Sequence, residues 1–278
     1  MTMKRMAAAV VTLVVWLTGS PAGAQEPLVD LLQRYGVTLP SRGIEGAFDE
    51  GMAPAIPVSA GAFATPLAIL ATASGHDRIA AAYTFGILAG RSAQGAAPGE
   101  VAAAGQACMQ MMVAGDRQSR VAGARVAGRI FAVALSTPAA RVSQPAGLVD
   151  ALFLLLNRPG DFDRLAAMDA LGLVRATIAV SSLTDRYHFH RDAGRRALAG
   201  GALEDLARIG HPSSVEIAKA LAGDRWADGR DATALAVAFA RERLLQDGSL
   251  TVIQQALGDK SRRAQARGYL AELGAPAP

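Results

Sequence analysis

The segment Tyr187-His188-Phe189-His190-Arg191-Asp192 is the densest polar and aromatic cluster of the chain, and it holds half of the four histidines. On an extended segment, side chains two apart share a face, so His188 and His190 could both ligate a metal ion such as zinc, with Asp185 or Asp192 as a third ligand. On a helix the same two imidazoles diverge by about 200° and cannot share an ion. The competing reading is a loop between helices, filled with amphipathic side chains and carrying no chemistry.

Arginine is the second recurring chemistry. Arg78, Arg120 and Arg164 stand at one register of three related segments. Such a series forms either a ladder that grips an acidic partner or a set of struts that hold the turn of each unit. Asp77 and Asp163, adjacent to two of them, favour local pairing. Arg125, Arg129, Asp169 and Arg175 lie off the alanine-rich packing stripe. They make a mainly cationic set suited to an acidic protein or peptide surface, whose association would slow as salt is added. Trp226, between Asp224 and Asp228, is an aromatic placed in a polar stretch and is a further candidate contact. The sequence contains no Gly-x-x-x-x-Gly-Lys-Ser/Thr phosphate loop and no Gly-x-Ser-x-Gly nucleophile elbow. The expectation is a protein that binds a partner and needs no cofactor or catalytic group. The alternative is a metal-binding or enzymatic protein centred on His188, His190 and Asp192.

The elements that must position these residues are helices. The 278 residues include 60 alanines, and half of the chain is apolar although only 5% is aromatic. Alanine is the best helix former, and no segment after the N-terminus is dominated by β-branched or aromatic residues. One cysteine rules out a disulfide framework and a thiolate zinc cluster; Cys108, among Met109, Met111 and Met112, reads as a small buried side chain. Residues 27–35 read as a short helix. Residues 36–65 carry prolines 40, 54 and 57 and five glycines, so no helical period survives them. From Thr65 onward apolar-periodic segments alternate with Pro and Gly, and Thr65-Pro66, Ala97-Pro98 and His211-Pro212 each place proline near a first helical position.

The segments ending at Gly86, Gly128 and Gly172 share an Arg, then a branched aliphatic, then an Ala at the same offsets, with the glycines 42 and 44 residues apart. Weaker copies end Leu206-Ala207-Arg208-Ile209-Gly210 and Leu270-Ala271-Glu272-Leu273-Gly274, and residues 231–245 fit a helix between those two. Spacings near 40–47 residues are those of two-helix repeats. This pattern resembles HEAT-type repeats over about residues 65–274. The resemblance implies an all-α fold: an α-solenoid of about five stacked antiparallel helix pairs over residues 65–278, preceded by an irregular leader over residues 25–64.

The first 24 residues read as an address. Lys4 and Arg5 precede an apolar run of about 13 residues, Gly19-Ser20-Pro21 breaks it, and Ala22-Gly23-Ala24 places small residues where a signal peptidase cuts. The run is shorter than the ~20 residues that a spanning helix needs. Residues 1–24 are therefore expected to be a signal peptide cut before Gln25, which places the mature chain in the periplasm or outside the cell, with no membrane span left. Loss of Lys4 and Arg5 lowers the formal charge from +4 to +2, too small a surplus to indicate nucleic-acid binding.

Overall fold

A computed structural model describes residues 28–35, 57–59, 61–92, 96–136, 145–222 and 232–276, and these residues are helical throughout apart from short connections. The helices are α1 (Leu28–Arg34), α2 (Ala64–Thr72), α3 (Gly75–Arg91), α4 (Pro98–Ala114), α5 (Arg117–Ser136), α6 (Leu148–Leu156), α7 (Asp161–Leu173), α8 (Val180–Asp192), α9 (Arg196–Ile209), α10 (Pro212–Leu221), α11 (Ala232–Leu245), α12 (Leu250–Gln255) and α13 (Arg263–Leu273). Single 3₁₀ turns follow at Thr177–Ala179 and Ala256–Gly258. The signal-peptide reading, residues 36–56 of the leader and Trp226 lie outside the described residues.

Local chemistry explains the ends. Pro98 and Pro212 occupy the first positions of α4 and α10, where the missing N–H costs nothing. Pro66 is the third residue of α2, still within the first turn. Glu100 accepts a hydrogen bond from the Ala97 N–H at 2.8 Å and closes the start of α4. Gly210 and Gly274 end α9 and α13 in the left-handed region, at φ 74° and 67°.

Consecutive helices pair: α2 with α3, α4 with α5, α6 with α7, α8 with α9, α10 with α11 and α12 with α13. The odd-numbered member of each pair also packs on the odd-numbered helix of the next, from α3 through α5, α7, α9 and α11 to α13. Their contact faces are built from alanine. Ala122, Ala166 and Ala167 are fully buried, as the helical spacing requires, and so are Ala127, Ala170 and Ala202.

Glycine sets how closely these helices approach. A methyl added at Gly128 of α5 would lie 2.8 Å from the Ala170 Cα of α7, and one at Gly172 of α7 would lie 2.8 Å from the Asp205 Cα of α9. A methyl at Gly200 of α9 would lie 2.9 Å from the Thr233 side-chain methyl of α11. The 44-residue spacing of Gly128 and Gly172 therefore marks where one odd-numbered helix touches the next. Gly210 and Gly274, which align with them in sequence, sit beyond helix ends and serve chain reversal instead, so the last two copies share the letter and not the role. Ala166→Phe should lower stability by about 1–3 kcal/mol through overpacking. An unshifted denaturant midpoint would contradict this packing register.

Candidate functional site

The most developed polar constellation lies among the odd-numbered helices at the C-terminal end, centred on Arg208 of α9. Its guanidinium forms a fork on Glu272 of α13, with Nε to Oε2 and Nη2 to Oε1 both at 3.1 Å. Nη1 donates to Asp169 of α7 and to Asp205 of its own helix, each at 2.9 Å, and Nη2 meets Glu204 at 2.5 Å. All five N–H donors of the group are thereby matched to carboxylate oxygens. Tyr269 of α13 donates its hydroxyl to Glu204 at 2.6 Å and accepts from Gln265 at 2.8 Å. Arg243 of α11 donates to the Ala207 carbonyl at 3.0 Å. The Phe239 ring stacks on Tyr269 with centroids 4.5 Å apart, and the Arg208 and Arg243 guanidiniums lie over it at 5.8 and 5.9 Å.

This arrangement gathers four carboxylates round the Arg208 guanidinium, with Glu204 and Asp205 shielded from water and Asp169 and Glu272 partly exposed. Burial pushes the Glu204 carboxyl up to about 7, and Asp169 and Glu272 add to the rise against the pull of Arg208 and Tyr269. Burial also raises Asp205 well above the usual carboxylate range, helped by Asp169 and Glu204. Arg208 is driven the other way. Burial opposes its charge, yet Glu204, Glu272, Asp169 and Asp205 together outweigh burial and hold it firmly protonated. The cluster can retain a proton near neutral pH. With every Arg208 donor occupied, it acts as a clasp that joins α7, α9 and α13.

Sequence reasoning missed this clasp, although a signal was present. Leu206-Ala207-Arg208-Ile209-Gly210 and Leu270-Ala271-Glu272-Leu273-Gly274 carry opposite charges at one register, 64 residues apart. Asp169, a candidate partner contact, pairs with Arg208 and keeps a side chain 44% exposed.

Of the other candidates, Arg125 and Arg129 are drawn inward and Arg175 is not. Arg125 is half-buried and hydrogen-bonds the Tyr83 hydroxyl of α3. The Arg129 guanidinium lies over Gly90 of α3, close enough that a methyl there would come within 2.7 Å of Nε. Arg175 is exposed and adopts a left-handed φ of 51° in the turn that ends α7, where the Ala176 N–H bonds the Leu171 carbonyl at 3.0 Å. Arg78 donates to Gln110 of α4 at 2.9 Å, and Arg164 donates to Asp161 at 3.3 Å. Arg120 bonds the Gly115 carbonyl at 3.1 Å and crosses to the buried Asp163 of α7 at 2.9 Å. The arginine register thus ties both the local turn and the next helix pair.

The histidine segment is not a loop: all of it lies within α8. Helical geometry sends the two imidazoles apart, leaving His188 exposed against the Tyr187 ring and His190 fully buried. Asp192 is exposed and pairs with Arg191 at 2.9 Å. Among the described residues no three His, Cys, Asp or Glu side chains are placed to hold a metal ion. Cys108 is buried, and burial pushes its thiol up to about 12, which leaves it protonated and unreactive at neutral pH. No helix among the described residues is long and apolar enough to cross a membrane. No family model matches the sequence, and comparison with curated proteins and with solved structures finds no match to either.

Proposed function

We propose that this chain is an exported helical-repeat scaffold: an α-solenoid of HEAT-like helix pairs that binds another protein or a peptide and carries out no reaction itself. The observation that carries the reading is the series contact of α3, α5, α7, α9, α11 and α13, each odd-numbered helix resting on the next. Units that cannot bury their apolar faces alone gain stability by stacking in this way, and the product is a rigid surface rather than a cleft. The inward use of Arg120, Arg125, Asp169 and Arg208 supports the same reading, since these charged groups link helices to one another.

Of the cationic set, Arg175 is the member whose side chain is free to meet an acidic partner without disturbing packing. The mature protein, immobilised and exposed to the extracellular or periplasmic fraction of its own cells, should retain a defined partner, and retention should weaken as salt is raised. Arg175→Glu should reduce that retention several-fold with an unchanged circular dichroism spectrum. Equal retention by the two proteins at every salt concentration would refute the cationic docking reading. Export has its own test. The protein recovered from the periplasm or the medium should begin at Gln25, and recovery of the form beginning at Met1 from washed membranes would overturn it.

A further inference from the structure

Three guanidiniums meet where the α6–α7 loop, α8 and the α8–α9 connection come together. Arg164 lies in the first turn of α7, Arg186 on α8 and Arg195 immediately before α9. Arg186 donates to the Asn157 side chain at 3.0 Å. Arg164 reaches Asp161 Oδ1 at 3.3 Å, and Arg195 Nη1 lies 3.9 Å from the same oxygen. The carboxylate they share is more than half exposed, at 55%. Burial disfavours the charge of Arg186, and the neighbouring Arg164 disfavours it further.

Behind these groups stands His190, fully buried, with neither ring nitrogen hydrogen-bonded among the described residues. The largest charge effects on its ring are those of Arg186, Arg195, Arg164 and Asp161. Arg164 Nε is likewise buried without an acceptor. Buried polar atoms in folded proteins are nearly always paired, and like charges are not drawn together without something to offset them. Three guanidiniums against one carboxylate leave a surplus of two positive charges. Gly160, the N-cap of the 13-residue α7, offers no side chain to cap the first N–H groups, so the positive end of that helix adds to the surplus.

We propose that Arg164, Arg186 and Arg195, backed by His190, form a binding site for a doubly charged oxyanion of the phosphate type, entered from solvent past Asp161. Asp161 Oδ1 marks where one oxygen of the anion sits. The exposed aspartate rotates outward, and the anion supplies acceptors that a single carboxylate cannot. Planar guanidiniums suit such an anion because each presents paired donors. A dianion neutralises the local surplus. Free hydrogen phosphate and the phosphate group of a small monoester share this chemistry. The inference does not depend on the partner-binding reading, because it concerns a small anion at a site formed within the chain.

The test is calorimetric titration of the full mature protein with sodium phosphate and, separately, glycerol phosphate, at ionic strength held constant with sodium chloride. One phosphate per chain should bind saturably. Arg195→Ala, at a half-exposed position, should weaken binding at least tenfold without changing the melting temperature of the anion-free protein. Asp161→Asn should strengthen binding several-fold, because it removes the competing carboxylate. In proton NMR the His190 ring resonances, assigned with His190→Gln, should shift on phosphate addition toward the protonated form. Tighter binding of glycerol phosphate than of phosphate would identify the monoester as the source of the anion, and the reverse would identify the free ion. Absence of heat beyond that of matched chloride, or binding unchanged in both Arg195→Ala and Asp161→Asn, would overturn the proposal.

Discussion

Arg208→Met should destabilise the protein by about 3–5 kcal/mol at neutral pH, more than Ala166→Phe. The reason is asymmetry. The guanidinium carries contacts from Asp169, Glu204, Asp205 and Glu272 at once. Its removal leaves four carboxylates near one another, with Arg243 close to Glu272 and Arg175 beyond it. Breaking a buried ion cluster by deleting one partner costs far more than the cluster itself contributes. Arg208→Lys should recover little, since a compact ammonium has three donors and cannot span three helices as the planar fork does. The loss should shrink at pH 5, where the stranded carboxyls can take up protons. Equal denaturant midpoints for Arg208→Met and the parent at pH 7.5 would show that the cluster is peripheral to the fold.

A second large effect lies in the pH dependence of stability. Glu204 titrates at about 7 in the folded protein, against an ordinary value of 4.5. A carboxyl whose pKa is raised by folding favours the folded state while protonated. That contribution is complete below pH 4.5, declines as pH rises between 4.5 and 7, and is gone above 7. One pKa unit corresponds to about 1.4 kcal/mol, and the residual exposure of Glu204 reduces this to roughly 1 kcal/mol per pH unit. His190 acts in the opposite direction. Burial lowers its pKa, ahead of the effects of Arg186, Arg195 and Arg164, so the unfolded chain takes the proton first and stability falls as pH drops below 6.5. The two trends overlap, and a comparison separates them. The stability difference between the parent and Glu204→Gln should change by about 2–3 kcal/mol between pH 4.5 and 7 and stay level above pH 7. A difference that is constant across this range would mean that Glu204 is already ionised at pH 5.

Much of the fold is legible from residues alone because helix formation is local. Alanine content, proline at the first positions of α4 and α10, and glycine after α9 and α13 act within a few residues of where they stand. The spacing of Gly128 and Gly172 was readable for the same reason, since each marks a helix face that must be small. The burial of Ala122, Ala166 and Ala167 follows from that face. The histidine segment was misread because its polar and aromatic side chains resemble a loop in composition. Placed in α8, it buries Tyr187 and His190 and exposes His188 and Phe189, a separation that helical periodicity alone would have produced.

By itself, then, the sequence determined the helical class, several helix ends and the small faces on which helices approach, because propensity, capping and side-chain volume operate at short range. It did not determine which charges meet. Arg208 and Glu272 are separated by 64 residues, and Arg120 and Asp163 by 43. A sequence pattern can place such residues at one register, but it cannot say whether a guanidinium turns toward solvent or toward the next helix. That choice depends on where α7, α9, α11 and α13 come to rest against one another, and on the low dielectric they create between them. Only the tertiary structure turned Asp169 and Arg125 from surface candidates into helix–helix links, and only it set His190 beside Arg164, Arg186 and Arg195.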